Sequence, residues 1–335
     1  MEYLRFKRIC QNGNDKLSKY HKIRKIGRGT YGEIYICRKN NEYYVMKIIN
    51  KFKLIAQGTV NKTYLSNHEQ NSIKWQLNER NLLKLLDNKY IVKYQDSFQT
   101  ENDLHLILEY IPGGDLFTLL CNKIAKLEYL GEDVCKYYAY DIFKSLSYLH
   151  NHNITHGDLK LENILINLDG HLKLCDFGFA HKSDDIDLTL RGTMDYMAPE
   201  QLIESKYSNK VDIWSFGIIL YELCIGMLPF NNENYNRSGQ LHCILSQEIE
   251  YPDSISNDMR DLLKQMLQVN PDNRPTINEL RNHKWFDFEN YKNAKPYFIP
   301  QIRTVTDTRY FDDYSKDTEY ETFMPISFQK YFKDY

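Results

Sequence analysis

The sequence predicts an α+β chain with a small β-rich part first and a larger helical part after it. Two observations carry this. Three segments, HKIRKIG, YGEIYICR and EYYVMKII, alternate or are rich in β-formers, and Gly or Asn separates them. Beyond Pro112-Gly113-Gly114 the apolar spacing turns helical, and VDIWSFGIILYEL within 207–226 is apolar on nearly every face, as a buried central helix is.

The elements follow in order. Residues 1–19 are polar and mixed, a peripheral extension. The three strands begin at Tyr20. The turn between the first two is Gly27-Arg28-Gly29-Thr30-Tyr31-Gly32, a G-x-G-x-x-G that by itself fits any tight turn or a dinucleotide fold. A dinucleotide motif opens a helix, whereas here a strand follows. A helix is expected over about 71–86 from Ile73, Leu77, Leu82, Leu83, Leu85 and Leu86. Asn61–Asn71 is polar and reads as an inserted loop. Strands over 91–98 and 104–111 complete the β-rich part. Helices are expected at 115–125, 132–152, about 258–269 and 276–282. From Phe286 the helical pattern stops.

Composition narrows the function. With 335 residues, 42% of them hydrophobic and 26% charged, the chain can bury one large core or two modest ones. A formal net charge of −2 gives no overall field toward nucleic acid or membrane. The seven cysteines form no C-x-x-C pair and read as reduced thiols of a cytoplasmic or nuclear protein. No signal core and no second-position Gly occur at the N-terminus, and the apolar run Ile213–Tyr221 is too short to span a bilayer, so no membrane anchor is expected.

The chemistry concentrates between Thr155 and Gly178. Asp158, Lys160, Asn163 and Asp176 stand there among Ile154, Leu159, Leu161, Ile164, Leu165, Leu172, Leu174 and Phe177. Acidic and amide groups held among apolar residues need partners. For Asn163 and Asp176 the obvious one is a hard cation with oxygen ligands, most simply Mg²⁺ with a phosphate attached. Asp158 is then free to take a proton from an attacking hydroxyl, and Lys160 to neutralise the moving phosphoryl.

DLKLEN, then DFG, then Ala198-Pro199-Glu200, in that order and spacing, resembles the eukaryotic protein kinases, here of serine/threonine type. The resemblance covers 20–286 and implies a bilobal fold, with lobes at 20–109 and 110–286, and the cofactors ATP and Mg²⁺. It implies that the glycines 27, 29 and 32 bring backbone amides to the ATP phosphates, and that Ile26, Ile34 and Leu165 line the adenine site. Lys47 is matched to the lysine that grips the α- and β-phosphates. Its helix partner is Glu79, with Glu69 a rival that lies too early; 31 residues separate Lys47 from Glu79. Glu109 to Ile111 form the hinge, with Leu108 guarding the space behind adenine. Arg274 is expected to pair with Glu200.

The tail, 287–335, resembles that of the AGC group, the group of the cyclic-AMP-dependent protein kinases: KPYFIP, then DTRYFDDY, then a terminal FKDY. The likeness implies that Tyr314 lies near the nucleotide and that Phe332 and Tyr335 fill an apolar groove beside the Glu79 helix. It also matches Asp115, Glu162 and Glu222 to acids that hold arginines upstream of the target, with solvated lobe acids as the plainer reading. Leu190, Met194 and Met197 would line a site for the residue after the target. The partners implied are protein substrates and a regulatory subunit or upstream kinase acting on a monomeric catalytic chain.

The chain also departs from the family. The usual H-R-D is His156-Gly157-Asp158, without the arginine that receives an activation-loop phosphate at the position of Thr189. Trp75 and His181 replace two further receivers. The segment 184–187 is already acidic, and Lys182 or Arg191 could serve instead. Weak dependence on phosphorylation of Thr189 is therefore expected. Gly157 is also the only support for an alternative, an ATP-binding pseudokinase scaffold. Cys175, beside Asp176, reads by default as an inert packing residue.

Overall fold

The computed structural model describes residues 2–29, 31–55, 66–124, 130–182, 192–203, 207–230, 236–292, 294–314, 326–332 and 334–335. The chain forms two compact units. One comprises Met1–Asp87, Val92–Pro112 and Ile302–Tyr335, the other Asn88–Ile91 and Gly113–Gln301.

The first unit opens with helix α1 (Glu2–Leu17) and is built on a five-stranded sheet. Its strands are β1 (His21–Arg28), β2 (Gly32–Lys39), β3 (Glu42–Asn50), β4 (Tyr94–Gln99) and β5 (Asp103–Glu109), all antiparallel, in the order β1-β2-β3-β5-β4. Two helices, α2 (Lys51–Ile55) and α3 (Asn67–Leu85), follow β3. Because side chains alternate along a strand, Met46 and Ile49 point to opposite faces. Met46 joins Tyr20, Cys37, Phe98 and Ile107, with Leu17 of α1 against them. Ile49 joins Leu54 and Ile55 of α2, Ile73 of α3, Leu104, and Phe332 from the far end of the chain.

The second unit is mostly helical: α4 (Leu116–Ile124), α5 (Gly131–Asn151), α6 (Pro199–Ile203), α7 (Lys210–Ile225), α8 (Arg237–Ser246), α9 (Asn257–Met266), α10 (Ile277–Leu280) and α11 (Phe288–Lys292). Two short antiparallel ladders pair β6 (Ile154–Thr155) with β9 (His181–Lys182) and β7 (Ile164–Ile166) with β8 (Leu172–Leu174). Buried on every face, α7 is the centre of this unit, packs on α5, and stops at Gly226, whose φ of +83° is left-handed.

Several expectations shift. The polar extension 1–19 folds as α1. Helix α3 begins at Asn67 because Ser66 and Glu69 form a capping box there: Ser66 N donates to Glu69 Oε2 at 2.6 Å, and Glu69 N to Ser66 Oγ at 3.3 Å. The expected loop 61–71 is thus partly helix; its residues 61–65 lie outside the described residues. That box is what the rival Glu69 does. Strand β4 starts only at Tyr94. The helical pattern does not end at Phe286, since α11 follows, its Phe288 stacked on Phe286 with ring centres 5.1 Å apart.

Candidate active site

In the first unit, Lys47 sits mid-strand on β3, paired with Ile34 on one side and Leu106 on the other. Its ammonium meets Glu79 Oε1 of α3 at 2.7 Å, and Glu79 is buried. The sheet fixes one partner and a capped helix the other. The β1–β2 hairpin closes with Gly29 N donating to Gly32 O at 2.9 Å. Its glycines differ in purpose. A Cβ on Gly32 would lie 1.8 Å from the Ile48 carbonyl oxygen, so strand packing demands this glycine. Around Gly29 the nearest such neighbour among the described residues is Gly32 O at 4.0 Å, so packing does not demand this glycine as it does Gly32. Gly27 and Ile34 are register partners, with half-buried Ile26 beside them. On β5, Leu108 is half-buried; Glu109 exchanges a backbone bond with Lys93 and accepts from Lys93 N at 3.1 Å, and Ile111 is buried.

In the second unit, Asp158 is held on three sides. Its Oδ1 accepts from Thr193 N at 3.0 Å, while Oδ2 lies 3.2 Å from the Lys160 ammonium and 3.3 Å from Asn163 Nδ2. Lys160 also donates to Thr193 Oγ1 at 2.7 Å. Asn163 Nδ2 donates to Asp158 O at 2.8 Å. Asp176 adopts φ +55°, and its Oδ1 accepts from Gly178 N at 3.3 Å. Phe177, fully buried, meets the His156 ring edge-on at 5.2 Å.

Asp212 anchors this loop from beneath, and sequence reasoning missed it. Its carboxylate accepts from the backbone N–H groups of His156 and Gly157 and meets His150 Nε2, each at 2.9 Å. Burial pushes its carboxyl up, but the His150 bond and charge, His156 and the Gly157 amide outweigh this and hold it below the usual range. The signal was present: an acid in the first turn of a mostly apolar, buried helix must have partners.

Residues 20–286 match the model of the protein kinase domain. The chain belongs to the protein kinase family. It is 31% identical over 319 residues to the cAMP-dependent protein kinase type 3 of Saccharomyces cerevisiae, covering 91% of this chain and 75% of that one. It is 34% identical over 334 residues to the cAMP-dependent protein kinase catalytic subunit 3 of Drosophila melanogaster, covering 95% and 54%. To the RAC-beta serine/threonine-protein kinase A of Xenopus laevis it is 32% identical over 306 residues, covering 87% and 59%. The chain thus spans between about half and three quarters of the length of these relatives. They identify an ATP-dependent serine/threonine kinase of the AGC group.

The kinase departs from its family's pattern at Gly157, and the backbone explains what glycine does there. Its φ is +78°, its N–H goes to Asp212, and its carbonyl accepts from Gln201 Nε2 at 3.1 Å. Glycine adopts that conformation without strain, so the loop keeps its anchors while losing a side chain. His181 is buried on β9, its Nδ1 3.1 Å from Phe179 O. Thr189, Leu190, Arg191 and the acidic 184–187 lie outside the described residues. Met197 is buried and Met194 half-buried.

The three acids have unequal surroundings. Asp115 caps α4, its Oδ1 accepting from Thr118 N at 2.7 Å and its Oδ2 from Thr118 Oγ1 at 3.1 Å. Glu222 is buried on α7 and accepts from the Tyr196 hydroxyl at 2.6 Å. Burial pushes its carboxyl up to about 7; the tyrosine bond opposes this, and Glu162 and Asp195 add to it. Desolvation also raises Glu162, opposed by Lys160 and helped by Asp115 and Asp158. Leu165, on β7, bridges to Asp115. Glu200 and Arg274 pair at 2.6 and 2.7 Å.

The tail returns to the first unit. Tyr314 lies against Lys25 of β1, 5.6 Å from ammonium to ring centre. Phe332 is fully buried in the α2–α3 cluster, and the Tyr335 ring centre is 5.0 Å from the Arg80 guanidinium. Both thus lie beside α3.

Proposed function

We propose that this kinase moves the γ-phosphoryl of ATP onto Ser or Thr hydroxyls preceded by basic residues. The observation that carries the reading is the three-sided hold on Asp158, which aims a carboxylate to accept a hydroxyl proton. Such transfer is mainly positioning and electrostatics, and every contact to Asp158 serves position. Lys160 steadies the γ-phosphoryl, and Lys47, fixed by Glu79, grips the other phosphates. Mg²⁺, held by Asn163 and Asp176, would supply charge neutralisation for the phosphates. Asn163 and Asp176 fit that ion. The amide nitrogen of Asn163 is committed to Asp158, leaving its carbonyl oxygen as the donor for a hard cation. Among the described residues no three His, Cys, Asp or Glu side chains cluster as a metal cage, which suits an ion that arrives with phosphate.

Gly157 favours the pseudokinase alternative only through its missing side chain; the intact anchors at 156–158 support catalysis. Transfer of γ-phosphate by the purified protein tests this, with Asp158→Ala as control. Without an arginine at 157, Thr189→Ala is expected to keep activity within about a hundredfold of wild type. A larger loss in a steady-state assay would show that another group receives the phosphate.

Basic substrates are supported by the mutual repulsion of Glu162, Glu222 and their neighbours, which an arginine relieves. Glu222 gains its charge as pH rises through about 7. Preference for an upstream-Arg peptide over its Ala counterpart should therefore grow roughly tenfold from pH 6 to pH 8. Glu222→Gln should flatten the profile. A peptide library without upstream Arg or Lys preference overturns the substrate reading. Control by a regulatory subunit or an upstream kinase belongs to the same proposal.

A further inference from the structure

One face of the five-stranded sheet buries an imidazole that phosphoryl transfer does not use. His105 of β5 is 2% exposed and sits between its register partners, Ile48 of β3 and Phe98 of β4. Neither ring nitrogen has a hydrogen-bond partner among the described residues. A buried polar group without a partner is costly, and a buried charge without one far more so. Its neighbours are aromatic. The ring stacks on Phe98 with centres 4.9 Å apart, and Phe98 stacks on Tyr20 at 5.9 Å. This row of three rings ends beside α1. Tyr20 N donates to Leu17 O at 2.9 Å, and Leu17 packs against Tyr20 and Phe98. α1 itself lies on β4. A Cβ on its Gly13 would sit 1.8 Å from the Gln99 carbonyl oxygen, and Cys10, nearly one turn earlier, is buried. The Lys16 ammonium is 5.8 Å from the Phe98 ring centre and meets Asp96 at 2.7 Å. Helix and imidazole thus share Phe98.

The charged groups around the row are mostly cations. Lys51 of α2, fully buried, donates to Gln99 Oε1 at 2.8 Å, Thr100 O at 2.7 Å and Gln329 Oε1 at 3.2 Å. Lys22 of β1 lies 4.7 Å from the Tyr35 ring centre, and Lys39 of β2 donates to the Tyr20 hydroxyl at 3.1 Å. The nearby acids are committed or solvated. Asp96 Oδ1 also accepts from Ser97 N at 2.8 Å, Asp103 Oδ1 accepts from Asn50 Nδ2 at 2.9 Å, and Glu101 is exposed. Burial pushes the Cys10 and Cys37 thiols and the Tyr20 hydroxyl up, and its bond to Glu42 raises the Tyr44 hydroxyl, so all four are neutral at pH 7 and below. A proton on His105 would add a cation among cations, with no acceptor to meet it. Burial, then Lys22 and Lys51, push its pKa from 6.5 down to about 3.

We propose that His105 is the trigger of an acid-operated latch: α1 stays docked on β4 while the imidazole is neutral, and a proton taken up by His105 releases it. With α1 docked, the ring titrates near 3; with α1 off, water reaches it and its ordinary value of 6.5 returns. The released form therefore binds more protons. Docking is at full strength above about pH 6.5 and weakens as pH falls toward 3. Between pH 7 and pH 5.5 the released fraction should rise about eightfold. Lys51, whose pKa burial lowers to about 8, is charged across that window.

The test uses the full chain without nucleotide. Amide hydrogen exchange, corrected for the intrinsic rate at each pH, is followed over 7–17 and over β3 and β5 at pH 7 and pH 5.5. In the wild type, exchange in α1 should speed up about eightfold while the strands hold. His105→Phe keeps the stacked row and cannot take a proton, so its α1 should change less than about twofold. An equal acceleration in His105→Phe, or none in the wild type, overturns the latch. So does equal acceleration of β3 and β5, which would mean that the whole sheet opens. A second readout needs no variant: carbon-13 spectra of the wild type with labelled histidine rings. The His105 signal should stay that of a neutral ring in docked molecules down to pH 5.5. A ring that titrates near its ordinary value while α1 exchange stays unchanged also overturns the latch.

Discussion

Asp158→Ala is expected to lower kcat by about 10³- to 10⁴-fold while ATP affinity stays within a fewfold. Asp158 contacts Lys160 and Asn163 of its own loop and Thr193, and the role assigned to it is to take the hydroxyl proton, not to grip ATP. Its loss therefore removes a transition-state group and spares ground-state nucleotide binding. Lys160 and Thr193 would lose their common partner, so the KM for peptide should rise as well. Single-turnover transfer of radiolabelled γ-phosphate checks the first effect, and titration calorimetry with ATP checks the second. Transfer by the variant at the wild-type rate would remove Asp158 from the chemistry altogether.

The catalytic loop was legible because its groups are close in sequence and chemically unusual there. Acids and amides amid Ile and Leu point to one kind of chemistry. The Lys47–Glu79 and Glu200–Arg274 pairs came from the family resemblance instead, which also chose Glu79 over Glu69. It did not find what Glu69 does, since a capping box depends on where the helix begins, and Ser66 lay in a stretch read as loop. It missed α1 for a different reason. The helix is mostly polar and is held by Gly13 against the Gln99 carbonyl, by buried Cys10, by Leu17 and by the Lys16–Asp96 pair at 2.7 Å, a mixture that a search for hydrophobic spacing passes over. Lys51 was invisible too, because a lysine after a strand looks like any surface lysine until the chain end 278 residues later closes over it. Asp212 could have been found by asking how an apolar helix tolerates a carboxylate.

Glu200→Ala is expected to destabilise the second unit by about 3–5 kcal/mol. Arg274 is fully buried, and beyond Glu200 its guanidinium donates to Gln268 O at 2.6 Å, Val269 O at 3.1 Å and Lys210 O at 3.2 Å, with the Trp214 ring centre 5.0 Å away. Removing the carboxylate leaves a cation with carbonyls for company and no counter-charge. Arg274→Lys should cost a comparable amount, because a single ammonium cannot reach a bidentate carboxylate and three carbonyls at once. The double variant Glu200→Ala/Arg274→Met should be more stable than either single variant, since it buries neither lone charge. Urea unfolding of the four proteins measures all three differences. If Glu200→Ala cost less than about 1 kcal/mol, the pair would behave as a solvated surface bridge despite its burial. That result would also mean that the pair does not fix the position of Ala198-Pro199-Glu200, because a bond of such small value cannot hold a segment in one place.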